Sequence, residues 1–182
     1  MTTAPHKITV EQFEAFIALP ENADRRFELL NGEIVEKMPA IPHARYHSRI
    51  DRFLGNYLDG KGIGFTVTEA RFRPEHDTEN DLIPDVAVIQ EGMPEPETGP
   101  GLYMPMLAVE IKSPRDSIRI MRQKAYFYLA NGARMVWLVV PDKRIIEVIT
   151  ADEETLYLED DVITPEELFP GFSLPVRAIF AH

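Results

Sequence analysis

With 182 residues, 45% of them hydrophobic and 27% charged, the chain is long enough to bury a full core and suits a single domain over residues 1–182. Cysteine is absent, which excludes disulfides and thiolate metal sites; no apolar run matches a bilayer and no basic-then-apolar leader opens the chain, so a cytoplasmic protein without membrane contact is expected. The net charge of −11 excludes a molecule that is basic all over, although two stretches, residues 75–97 and 147–167, hold 17 of the 30 acids and no Lys or Arg, which leaves room for a local basic face.

In chain order, Thr9-Val10-Glu11-Gln12 is a capping-box pattern that opens an amphipathic helix through Phe13, Phe16, Ile17 and Leu19, stopped by Pro20. Arg26 to Leu30 and Glu33 to Met38 flank Asn31-Gly32, the pairing that favours a type I′ hairpin. Ile50, Phe53, Leu54, Tyr57 and Leu58 recur at helical spacing before Gly60, so a helix is expected over residues 43–59. A strand follows near residues 65–72, then one over residues 82–89, then an exposed loop rich in Pro, Glu and Gly over residues 91–105. After the strand Met106 to Lys112, a helical stripe runs through Ile118, Met121, Ala125, Tyr128 and Leu129 to Asn131-Gly132, and strands are expected at residues 135–140 and 145–150. The order α-β-β-α-β-β-β-α-β-β specifies an α/β fold, a mixed sheet with helices packed against it.

Two of these strands carry charge where a core strand ordinarily carries none. Leu82-Ile83-Pro84-Asp85-Val86-Ala87-Val88-Ile89 has an acid inside an aliphatic run, and Met106-Leu107-Ala108-Val109-Glu110-Ile111-Lys112 ends in an acid and a base two positions apart. Side chains alternate along a strand, so Glu110 and Lys112 share a face while Ile111 points into the opposite layer. With Asp85 alongside, two carboxylates meet one ammonium. Mg²⁺ takes hard oxygen donors, and Asp85, Glu110 and the backbone carbonyl of Ile111 form an adequate set. Lys112 is then expected to orient an attacking water or to offset charge on a phosphorane. From Ile111 to Arg134 the chain carries Lys112, Arg115, Arg119, Arg122, Lys124 and Arg134 against the single acid Asp116, either a basic face beside the site or a solvated helix surface.

The spacing of Pro84-Asp85 and Glu110-Ile111-Lys112 resembles the pattern of the PD-(D/E)XK nuclease superfamily. More of the chain is similar to one branch, the Uma-two family of restriction endonuclease-like proteins, through Phe27-Glu28-Leu29-Leu30-Asn31-Gly32-Glu33-Ile34-Val35, His47-Ser48-Arg49-Ile50, Pro84 to Val88, Glu110-Ile111-Lys112-Ser113-Pro114, Lys124, Tyr126, Gly132 and Trp137-Leu138-Val139. The similarity spans about residues 26–150. It implies a restriction-endonuclease-like core, Asp85 and Glu110 as ligands of Mg²⁺ or Mn²⁺, Lys112 as the catalytic lysine, Glu28 as a further acid of the site, Lys124 and His47 as substrate contacts, DNA as substrate and, by analogy, a homodimer. The chain departs from the branch in carrying Lys112 where many relatives have another residue, and in having Arg119 and Ile120 where an acid often precedes the Lys124 position. The expected function is metal-dependent hydrolysis of DNA by an activated water. The alternatives are a nuclease fold that binds without turnover and a hydrolase of a small phosphorylated ligand.

Overall fold

Thr9 caps the first helix, α1 (Val10–Ile17): its hydroxyl accepts from the Gln12 amide while the Gln12 side chain accepts from the Thr9 amide, which satisfies two helix-end donors at once. A single 3₁₀ turn (Pro20–Asn22) follows. Strands β1 (Arg26–Leu30) and β2 (Glu33–Lys37) form the expected hairpin. Asn31 and Gly32 both lie at positive φ, 51° and 78°, the backbone a type I′ turn requires. This computed structural model describes residues 7–38 and 40–181, so the ends of the expected 1–182 domain lie outside the described residues.

The remaining elements are α2 (Ile41–Leu58), β3 (Gly64–Thr68), β4 (Val86–Gln90), β5 (Leu107–Ile111), α3 (Ile118–Ala130), β6 (Met135–Val140), β7 (Ile145–Ile149), β8 (Glu154–Tyr157), β9 (Val162–Ile163), β10 (Leu174–Pro175) and α4 (Val176–Phe180). Six strands make one mixed sheet in the order β3-β4-β5-β6-β7-β8. Only β5 and β6 run parallel, joined through α3; the other neighbours are antiparallel. Strand alternation sends Val86, Val88, Leu107, Val109, Ile111, Trp137 and Val139 to one face, where α2 covers them with Ile50, Leu54 and Leu58 and the C-terminal segment adds Phe169, Phe172 and Phe180. Ala87, Ala108, Val136 and Leu138 point to the other face, under Met121, Ala125 and Tyr128 of α3. The fold is thus mixed α/β with helices on both faces of the sheet.

Four expectations are corrected. The strand drawn over residues 82–89 begins at Val86, because Pro84 offers no amide to a ladder; Leu82 instead bridges Phe72. The strand drawn over residues 65–72 ends at Thr68, where Glu69 takes a left-handed φ of 53°. The loop over residues 91–105 is exposed only in its first part: Pro100, Gly101 and Met104 are buried, and Gly101 pairs with Phe72. Finally, the buried core extends beyond the 26–150 span of the similarity. Ile163, Leu168, Phe169, Leu174, Val176 and Ile179 complete the layer against α2, beyond and among the eight acids that follow Thr150.

Candidate active site

The site grows from one register. Strands β4 and β5 pair Val86 with Val109, and the Asp85 amide donates to the Val109 carbonyl at 2.9 Å, so Asp85 stands beside Glu110 at the end of the sheet. Alternation turns both carboxylates toward the α3 face, in step with Ala87 and Ala108. Lys124 and Tyr128, one helical turn apart on α3, meet them from above. The β1–β2 hairpin closes the side, held by the Leu29–Asp81 backbone bridge, and supplies Glu28 and Lys37. The first turn of α2 brings His43 around the end of β5.

Every carboxylate of the cluster has a cationic partner. Asp85 Oδ1 accepts from Lys37 Nζ at 2.7 Å, and Asp85 Oδ2 accepts from the Ile111 amide at 2.7 Å and lies 3.2 Å from His43 Nε2. Glu110 lies 2.6 Å from Lys124 Nζ and accepts from the Tyr128 hydroxyl at 2.8 Å. Glu28 takes Lys124 at 2.9 Å and the Ile83 amide at 3.3 Å. Glu28, Asp85, Glu110 and Lys124 are each no more than 5% exposed, whereas the side chains of Lys37 and His43 keep 19% and 14%. Those two form the outward wall. Three carboxylates against two ammonium groups leave a deficit of one positive charge unless His43 is protonated.

The local charges bias the ionisation of each group. Burial opposes ionised Asp85, but the Lys37 ammonium and the His43 contact outweigh it and hold the carboxyl well below its usual range. For Lys37 burial works against the ammonium, and the carboxylates of Asp85, Glu110 and Glu28 overcome it, holding it well above its ordinary value. Glu110 is pushed upward by burial, against the pull of Lys124 and Lys37. Lys124 is raised: burial opposes its charge, and Glu110 and Glu28 prevail. Burial and then the Glu110 charge drive Tyr128 far above a free phenol, so it stays a donor. For His43 burial opposes the charged ring, and the hydrogen bond and charge of Asp85 together with the Ile111 carbonyl outweigh it, so it is raised.

The structure brings Asp85, Glu110, Glu28 and Lys124 together. It does not bring in Lys112, whose Nζ lies 3.4 Å from the Ser113 carbonyl and pairs with neither strand acid. The Lys112 amide still donates to Val139 at 2.8 Å, but β5 ends at Ile111 and the Lys112 ammonium lies near the Ser113 carbonyl rather than the acids. His47 is half-buried with an Nε2 that meets no partner among the described residues, and His43, one turn earlier, occupies the site instead. Lys37, His43 and Tyr128 were missed by sequence reasoning. For Tyr128 a signal existed, its i+4 spacing from Lys124; for Lys37 none did, since it is an ordinary hairpin lysine 48 residues from Asp85.

A divalent cation fits this donor set in kind. His43 Nε2 stands 3.2 Å from Asp85 Oδ2 and 3.0 Å from the Ile111 carbonyl, so a proton donor already takes the place between a carboxylate and a carbonyl that a hard cation would take. Among the described residues no three His, Asp or Glu side chains converge to hold a metal by themselves, so the Ile111 carbonyl would have to complete the set.

A central mixed sheet with helices on both faces carries an acid pair where β4 begins and β5 ends. The chain superposes with a TM-score of 0.80 on the crystal structure of a putative nuclease belonging to DUF820 from Anabaena variabilis ATCC 29413, at 23% identity over 95% of this chain and 97% of that one, a likeness of fold. It belongs to the Uma2 family, described as "Putative restriction endonuclease", whose model matches residues 11–177. No curated protein matches it. Among the described residues no helix is long and apolar enough to cross a membrane.

Proposed function

We propose that this protein hydrolyses phosphodiester bonds of DNA at the Glu28–Asp85–Glu110 cluster, with Mg²⁺ or Mn²⁺ held by Asp85, Glu110 and the Ile111 carbonyl. The observation that carries the reading is the convergence of three nearly buried carboxylates on two ammonium groups at the start of β4 and the end of β5, in a chain of the Uma2 family. Buried charge of this density costs stability, and its retention argues for chemistry.

When bound, the ion supplies positive charge that polarises a phosphodiester and acidifies water. The chain's own groups do the rest. Lys37 keeps Asp85 ionised and, as the more exposed ammonium, faces an arriving phosphate. Lys124 holds Glu28 and Glu110 in one orientation, and Tyr128 fixes the rotamer of Glu110 by donating to Oε1. The ammonium role expected of Lys112 falls to Lys37 in this geometry, with Lys112 at the rim. A homodimer suits a cut through both strands of a duplex.

The test is cleavage of supercoiled plasmid and of single-stranded DNA with Mg²⁺ and with Mn²⁺, beside Asp85→Ala and Lys37→Ala prepared identically. Cleavage by wild type that both variants lose supports the reading, and metal-dependent cleavage retained by Asp85→Ala sinks it. A second reading, a nuclease fold that binds without turnover, is favoured by one observation: each site carboxylate already has an ammonium or imidazole partner. Silence of the wild type toward DNA and small aryl phosphodiesters alike, with DNA binding intact, would select it.

A further inference from the structure

Resting on the reading of the site as a phosphodiesterase, we propose that the loop after β5 and the first turn of α3 bind the phosphate backbone of DNA through Lys112, Arg115 and Arg119, without reading its sequence. The loop starts at the rim of the site: Ile111 donates its amide to Asp85 and offers its carbonyl to His43, and Lys112 is the next residue. It is a set turn and not a loose connection, because Asp116 Oδ2 accepts from the Ser113 amide at 2.7 Å and the Asp116 amide donates to the Ser113 carbonyl at 3.0 Å. That bond fixes Asp116, the only acid of the loop, in the turn, and Asp116 pairs with none of the three bases.

Three bases at the rim of the site stand without a carboxylate partner among the described residues, as do Arg45, Arg49 and Arg52 of α2, but only these three continue directly from the strand that carries Glu110. In a chain with 30 acids and 19 bases, carboxylate partners are plentiful, and bases nearby use them: Arg122, one turn beyond Arg119, pairs with Glu147 and Glu154, and Arg144 pairs with Glu159. Among the described residues Lys112, Arg115 and Arg119 face no carboxylate. Arg115 and Arg119 are exposed and Lys112 is half-buried. Nor do they serve the helix, since cations at a helix N-terminus oppose its dipole, and the first turn of α3 holds no acid. Three cations against one acid, beside an acid cluster, supply the countercharge that a polyanion needs to approach it.

The experiment measures binding of a short labelled DNA duplex by fluorescence anisotropy at increasing salt, without metal, for three proteins. They are wild type, Lys112→Ala/Arg115→Ala/Arg119→Ala, and the control Lys61→Ala/Arg134→Ala, whose bases lie at the opposite end of the sheet, near the start of β3 and of β6. The triple variant should bind on the order of tenfold more weakly at low salt. Its slope of log affinity against log salt should flatten by about 2 to 3, at about 0.9 for each phosphate no longer neutralised. The control should match wild type, and the weakening should be equal on unrelated sequences. An unchanged slope in the triple variant overturns the inference, as does an equal weakening in the control, which would make the effect one of net charge. Wild type that hydrolyses a small aryl diester but binds no DNA overturns this inference and leaves the phosphodiesterase standing. DNA binding abolished only in the triple variant, in a protein that hydrolyses nothing, does the reverse.

Discussion

The two faces of the central sheet bury different chemistry in the same strands. Under α2 and α4 the layer is apolar throughout, from Val86 and Val109 to Trp137 and Phe180. Under α3 an equally buried layer of Ala87, Ala108, Ala125 and Leu138 gives way at one end to Asp85, Glu110, Lys124 and Tyr128. A single register produces both, because Val109 and Ile111 face one way and Ala108 and Glu110 the other. The apolar face is held by area removed from water, which pH does not alter. The charged end is held by pairing, where removing one member strands another.

The comparison breaks most sharply at Lys124. Lys124→Ala leaves Glu28 and Glu110 buried without their ammonium and should destabilise the fold by about 3–5 kcal/mol at neutral pH, read from denaturant unfolding. Glu110 is already raised by burial, and losing Lys124 raises it further, so the folded variant binds a proton more readily than the unfolded chain and the deficit should shrink as pH falls. Trp137→Ala on the apolar face should cost a similar amount, about 3–5 kcal/mol, with no such pH dependence. Equal pH dependence in the two variants would erase the distinction between the faces.

Asp85→Asn comes next. A crowded cluster of acids, considered without its bases, predicts that this substitution is neutral or stabilising; Lys37 and His43 reverse that expectation, and a loss of about 1–3 kcal/mol should appear. Asp85 is held below the usual carboxylate range, so its contribution is present above the ordinary value of about 3.9 and lost as pH falls through the lower folded value. The gap to wild type should therefore persist to mild acid and close only in strong acid. A raised melting temperature for Asp85→Asn at neutral pH would show that repulsion dominates the cluster.

His43→Ala should cost about 1 kcal/mol or less. Because its folded value is raised, the contribution is fully present below about 6.5 and fades as pH rises through the folded value, so the difference should vanish in mild alkali. A pH-independent difference would make His43 a packing residue. Smallest is Lys112→Ala, expected within about 0.5 kcal/mol of wild type; a larger loss would mean that Lys112 joins the cluster in solution.

Much of the fold was written in local pattern. The Thr9 capping box, the Asn31-Gly32 hairpin, the helical stripe of α2 and the aliphatic run of β6 each follow from neighbours a few residues apart, and the structure reproduces all four. Asp85, Glu110 and Glu28 were legible as candidates because an acid in an apolar strand is anomalous by itself. Lys37 and His43 are not anomalous where they stand, and the stretch after Thr150 concealed its core residues among acids.

By itself the sequence determined which side chains share a strand or helix face, since periods of two and 3.6 residues are properties of the backbone alone. Only the tertiary structure decided which bases meet which acids. Lys124 lies 96 residues from Glu28 and Lys37 lies 48 from Asp85, pairings created by docking a hairpin at one end of the sheet and a helix on its face. Lys112, two residues from Glu110, keeps its ammonium near the Ser113 carbonyl and pairs with neither strand acid. Sequence proximity specified the strand acids, and the packing of distant elements chose their partners.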